Sequence, residues 1–276
     1  MSETGLSRED LVALKQREPL FYFADLLLPE PLRQTAQVLH AFHGELNALA
    51  AKSTGSMVGQ IRFQWWSEVI DGDRLAEAQS HPMASELSRL VRDGTFDSAM
   101  LTRKVEAHIF DLYHDPMPDN EAFEAWSGET RSVLFQQLGA TLGQVSGPLA
   151  DACGHAGVAL GYADILLNLP RHRASGRRFL PSDLLASHDF DDDAWFGAPG
   201  AEHVNVVKAA AQVGLGHVDK ARAALKLCPD EMRQFFSVMS AVRAILIKYG
   251  RSDARVFEAP LNIGQLKLQW LLMRGF

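Results

Sequence analysis

The sequence predicts an all-α protein. Three observations carry that expectation. Apolar residues recur at i, i+3, i+4 and i+7 through long stretches, the period of a helix with one buried face. No stretch alternates apolar and polar residues as a half-buried strand does, and no glycine-rich hairpin turn appears. Breaks fall at Pro, Gly and Asp clusters spaced by helix-length segments, with no fixed repeat.

Taken in order, Ser7 and Asp10 form a capping-box pattern that opens a short helix to about Glu18, where Pro19 stops it. A dense apolar segment, Phe21 to Leu28, ends at Pro29 and Pro31. The next helix runs from about Leu32 to Ala51, with Val38, Ala41, Phe42, Glu45 and Leu49 on one stripe. Glu45 is thus a carboxylate on an apolar face. His40 and His43 are expected on the helix surface, since no third metal ligand accompanies them. A loop over 52–59 leads to the helix Ile61 to Ile70, whose Trp65 and Trp66 are expected in the core. Asp71-Gly72-Asp73 breaks it. Helices follow from His81-Pro82 to Arg92, from Phe96 to Leu112 and from Asn120 to Leu142. A break at 143–148 precedes a central helix, Ala150 to Leu169, and 186–200 reads as a surface loop. Helices Val204 to Leu227, Pro229 to Tyr249 and Leu261 to Leu272 complete about ten, in a single domain over 1–276 with no dividing linker.

Composition narrows the function. With 47% hydrophobic and 22% charged residues, the chain is that of a soluble globular protein with a sizeable core. A net charge of −7 argues against nucleic acid as a partner. Cys153 and Cys228 are expected as two reduced core thiols. No apolar run is long enough to span a bilayer, and the N-terminus reads as neither signal nor transit peptide, so a cytoplasmic bacterial protein is expected.

The chemistry centres on 161–181. Gly157, Gly161, Asp164 and Asn168 fall on one helical stripe, flanked by Leu160 and Leu167. Small residues there admit another backbone closely. An inward Asp164 needs a partner, a metal or a proton. Pro170 ends the helix, and the basic run Arg171, His172, Arg173, Arg177 and Arg178 follows. These arginines suit phosphate recognition, from a ligand or a lipid head group, or they form a solvated loop. Glu45, Asp164 and Asn168 are expected to share a cavity, as a buried structural network in preference to a retained metal or catalytic site.

Gly161, Ala163, Asn168, Leu169 and Arg171, then Gly176, Arg177, Phe179, Leu180 and Pro181, resemble the second signature of the squalene/phytoene synthase family. The resemblance implies an isoprenoid-synthase-type helical bundle around a central cavity, in which two Asp-rich helical motifs hold Mg²⁺ against prenyl diphosphates. Here the acids are missing. In the second signature they fall on Arg171 and His172 or in a gap. In the first, where Ala41 and Phe42 match, they become Asn47, Ala48 and Ala51. A narrower resemblance, A-F-x-x-E-L at Ala41, Phe42, Glu45 and Leu46 and R-x-Q-x-W at Arg62, Gln64 and Trp66, is to the branch containing mitochondrial complex I assembly factor 6 and bacterial relatives. It implies a non-catalytic protein without a cofactor. Such a protein would meet a complex I subunit or assembly intermediate, peripherally at the inner membrane. Two alternatives stand beside it: an active head-to-head prenyl transferase using Mg²⁺, and a protein that keeps the cavity for an isoprenoid or other lipid.

Overall fold

The computed structural model describes residues 5–52, 57–144 and 146–276, and among them every regular element is helical. The capping box closes as expected: Ser7 Oγ accepts from the Asp10 amide at 3.1 Å and opens α1 (Arg8–Arg17). That helix ends at Arg17 with Glu18 as its C-cap, just before Pro19 as expected, and Pro19 also begins α2 (Pro19–Asp25), because a first-turn proline gives up no helical hydrogen bond. Glu18 lies at the joint of the two in non-helical backbone. A long helix, α3 (Leu32–Lys52), follows. Of the loop expected over 52–59, residues 53–56 lie outside the described residues, whereas Lys52 ends α3 and 57–59 form the start of α4 (Met57–Asp71).

Short α5 (Leu75–Ala78) leads to α6 (Pro82–Arg92), which His81 caps by accepting from the Ala84 amide at 3.3 Å. The helix expected over 96–112 is shorter. It is α7 (Ser98–Ala107), capped by Asp97, then a 3-10 turn over Phe110–Leu112. The helix expected over 120–142 is three pieces: α8 (Asn120–Ser127), a π-turn over Gly128–Ser132, and α9 (Val133–Thr141).

The hub is α10 (Gly147–Leu167), which starts earlier than expected because Ser146 caps it and Pro148 fits its first turn. Its buried residues run all round, so neighbours cover every side: α8, the π-turn and α9 on one flank, α14 (Ala201–Leu225) and α15 (Val238–Tyr249) on another. Past its end, Pro170 sits in the first turn of the short α11 (Leu169–Ala174). The stretch 186–200, expected as a surface loop, begins at the end of α12 (Ser182–Ala186) and holds α13 (Asp192–Phe196), which carries Trp195, 1% exposed, into the core. Pro229 opens a 3-10 turn over Asp230–Phe236 before α15, and α16 (Gln265–Met273) closes the chain against α2 and α15. Cys153 and Cys228 are free and buried, and Trp66 is in the core. Among the described residues, no helix is long and apolar enough to cross a membrane.

The glycine stripe does what its spacing predicts. A Cβ at Gly157 would lie 2.5 Å from the Ser132 backbone nitrogen, and one at Gly161 would lie 2.6 Å from Ser127 Oγ. The missing side chains let the π-turn press onto α10. Gly157→Ala is therefore expected to cost about 1–3 kcal/mol in chemical denaturation. Gly216→Ala, mid-helix on α14 with nothing within 4 Å, is expected to stabilise by about 0.5–1 kcal/mol.

Candidate functional site

A cavity of about 840 Å³ opens between the α1–α2 joint, α3, the end of α10 with α11, and α16. Asn47, Ala48 and Ala51 line it from α3; Asp164, Asn168, Arg171 and His172 line it from α10 and α11. The two degraded motifs thus face one space. Glu45 is not in the lining. It stands at the rim of α3, paired with Arg17 of α1, which explains how a carboxylate occupies the edge of an apolar stripe. In its place Glu18 enters the cavity, because the non-helical joint turns its side chain inward.

Asp164 is answered by a cation from across the glycine contact. Arg131, on the π-turn, donates from Nε to Asp164 Oδ2 at 2.8 Å and from Nη1 to Thr130 Oγ1 at 2.8 Å. Its guanidinium lies 4.2 Å from the centre of the Trp126 ring. Burial pushes the Asp164 carboxyl above its usual range, and Arg131 works against that rise.

Behind this pair lies a buried lysine. Lys104, 0% exposed, meets the Thr130 carbonyl, His43 Nδ1 at 2.9 Å and His108 Nε2 at 3.4 Å. His40 and His43, expected on the surface, are 3% and 0% exposed. They are buried because each has a polar partner inside: His40 Nδ1 lies 3.0 Å from the Asp25 carboxylate, and His43 joins the lysine. Asn47 Nδ2 donates to Glu18 Oε1 at 2.8 Å and faces His43 Nε2 at 3.2 Å. With Nε2 accepting there, the ring proton sits on Nδ1 and points at Lys104. The pattern closes when the lysine is the neutral amine, which burial and the nearby Arg131 charge both favour. His108 is held neutral in turn, pushed down to about 4 chiefly by burial, while Asp111 accepts from its Nδ1 at 2.6 Å and from Trp126 Nε1 at 3.0 Å.

The arginines divide. Arg171 and Arg177 line the cavity beside His172, whose imidazole is pushed down to about 3 by burial and by the charges of Arg171 and Arg177. Arg173 instead donates to the Trp195 and Gly197 carbonyls and stacks near Trp195, tying α11 to α13. Arg178 donates to the Leu180 carbonyl at 2.6 Å and to Ser182 Oγ at 3.0 Å, shaping the turn before α12.

The donor set does not suit Mg²⁺, which asks for several free carboxylate oxygens in octahedral array. Three carboxylates line the cavity, but each is engaged: Asp164 by Arg131, Asp111 by His108 and Trp126, Glu18 by Asn47. Among the described residues, no group of three or more His, Cys, Asp or Glu side chains converges closely enough to share an ion. What the arrangement offers is a half-apolar chamber with fixed positive charge at one end. Apolar walls come from Leu20, Phe23, Ile245 and Leu268.

The squalene/phytoene synthase family model matches residues 14–271, and the chain belongs to that family. It is 25% identical over 264 residues to NADH dehydrogenase (ubiquinone) complex I, assembly factor 6, of Bos taurus, covering 95% of this chain and 79% of that one. A dehydrosqualene synthase crystallised with a ligand superposes with a TM-score of 0.74 at 14% identity, over 97% of this chain and 95% of the other. A squalene synthase from Alicyclobacillus acidocaldarius gives 0.69 at 17% identity, over 92% and 96%. Both share the isoprenoid-synthase fold.

Two measurements check the buried charges. Arg131→Met leaves Asp164 unpaired and is expected to destabilise by about 2–4 kcal/mol, while adding Asp164→Asn recovers a measurable part in a double-mutant cycle. Glu18 is pushed up to about 7 from 4.5, mainly by burial and then by Asp164. The folded protein holds this proton more tightly than the unfolded chain. Its stabilisation is complete below pH 4.5 and lost as pH rises through about 7. Glu18→Gln is expected to be more stable relative to wild type at about pH 8 than at about pH 5, by about 1–3 kcal/mol in denaturant titrations.

Proposed function

We propose that this chain is a non-catalytic member of its family that serves the assembly of respiratory complex I, in contact with the cytoplasmic face of the inner membrane. One observation carries the reading. At the positions where the resemblance places metal-binding acids, the cavity wall presents Asn47, Ala48, Ala51, Arg171 and His172, and the remaining Asp164 is held by Arg131. A diphosphate leaving group needs its developing charge met by Lewis-acid cations. Here the cation beside Asp164 is Arg131, a side chain already engaged with the protein. The likeness to assembly factor 6 along 95% of the chain supports the same direction. The whole chain acts as one unit in this reading, with a complex I subunit or assembly intermediate as its partner.

A second reading has its own support and is compatible with the first. The cavity of about 840 Å³ is apolar toward α15 and α16 and cationic toward α11, a shape that suits an isoprenoid or other lipid with an anionic head near Arg171 and Arg177.

Deletion of the gene in its host is expected to lower assembled complex I and NADH:ubiquinone activity, both restored by complementation. Unchanged complex I content would overturn the assembly role. Purified protein incubated with Mg²⁺ and farnesyl or geranylgeranyl diphosphate is expected to release no diphosphate. Release that Asp164→Ala abolishes would instead make this a prenyl transferase.

A further inference from the structure

The C-terminal helix presents two faces. Leu268 and Leu272 are buried, and Leu268 with Gln265 lines the cavity. Leu266, Trp270 and Met273, at i, i+4 and i+7, form a stripe on the other side, 84%, 49% and 67% exposed. Three large apolar side chains in a row on a helix already packed against α2 and α15 contribute nothing to the core.

Charge around that stripe departs from the rest of the molecule. Residues 243–276 hold six Lys and Arg against Asp253 and Glu258, a net of +4 in a chain whose total is −7. Four of these cations, Lys248, Arg251, Arg255 and Lys267, line one shallow pocket of about 430 Å³ beside α16. Asp253 pairs with Arg255 at 2.7 Å. Among the described residues, no carboxylate lies within ion-pair distance of Lys248, Arg251 or Lys267. Lys248 Nζ donates to the Asn262 carbonyl at 2.9 Å, which holds it at the pocket edge. The Arg274 guanidinium lies 4.7 Å from the Trp270 ring centre. An apolar ridge with an indole, bordered by cations on an otherwise acidic protein, complements one surface above others: anionic phosphate heads over acyl chains. An overall negative charge repels that surface everywhere else, so it also fixes orientation.

We infer that α16 and the Lys248–Arg251–Lys267 pocket form a docking face for an anionic phospholipid bilayer. Leu266, Trp270 and Met273 enter the head-group–acyl boundary, and the pocket takes lipid phosphate. The membrane contact proposed above gains a specific surface, and because α16 also walls the cavity, docking sets that chamber against the lipid. The inference rests on that membrane placement but not on the assembly role. Vesicle binding is read with purified protein, so failure here leaves the complex I test standing, and the reverse holds.

The test is flotation of the full chain with phosphatidylcholine vesicles, with and without phosphatidylglycerol. Wild type is expected to float with the anionic vesicles only, and less as salt is raised. Lys248→Glu with Arg251→Glu and Lys267→Glu is expected to lower the partition coefficient on the order of 100-fold. Leu266→Ser with Met273→Ser is expected to lower it on the order of 10-fold. The Trp270 emission, isolated by difference from Trp270→Phe, is expected to shift to the blue on binding. All these residues are exposed or half-exposed, and unchanged circular dichroism and melting temperature confirm intact variants. Absence of flotation, equal flotation with neutral vesicles, or variants that bind like wild type would overturn the inference, and in that case a protein surface is the remaining occupant of the face.

Discussion

The structure turns on one close approach: the π-turn of 128–132 pressed against the side-chain-free positions of α10. Gly157 and Gly161 make the approach sterically open, and the extra residue in the turn aims Arg131 at Asp164 across 2.8 Å. A buried carboxylate must be neutralised, and it can be neutralised by a proton, a bound ion or a fixed cation. This chain uses the fixed cation. Once Arg131 occupies that role, the polar groups around it settle accordingly. Thr130 bonds its guanidinium, Trp126 stacks beneath it, and burial together with the Arg131 charge pushes the Lys104 ammonium well below its usual range.

This choice reshapes what the cavity offers. A chamber built to grip divalent ions would need a ring of free carboxylates facing inward. Here the inward carboxylates are spent on internal partners, and the side chains lining the cavity near α11, Arg171 and Arg177, are cationic. An anion can approach that end directly, while the apolar end near Ile245 and Leu268 suits a hydrocarbon chain. The same helix that closes the apolar end carries an unburied stripe on its back. The cavity, its wall and the outer face of that wall therefore belong to one continuous proposal about lipid and membrane, to which the assembly role adds a protein partner.

Much of the fold was legible because helical period and capping chemistry are local. The Ser7–Asp10 box, the long α3 and α14 and the glycine stripe follow from spacing alone. What failed to show were features that depend on contacts far apart in sequence or on a change of phase. The π-turn inserts a residue into an otherwise helical pattern, so 120–142 reads as one helix, and Arg131 falls 33 positions from the acid it meets. Glu18 belongs to no periodic stripe because it sits between helices, whereas Glu45, on the stripe, finds Arg17 at the rim. His40 and His43 looked like surface residues when judged as metal ligands without a third partner. Their partners are Asp25 and Lys104, from other helices. A signal was present in α7, where Lys104 and His108 lie one turn apart beside buried Val105 and Leu101, a polar pair that only interior partners could satisfy.

The central claim is that a fixed cation, and not a divalent ion, neutralises Asp164. Melting curves of the purified protein across a magnesium titration test it most directly, because any ion bound to the folded state raises the melting temperature by mass action. The account predicts no magnesium-dependent shift, in wild type or in Asp164→Asn. A rise with magnesium in wild type that vanishes in Asp164→Asn would contradict it.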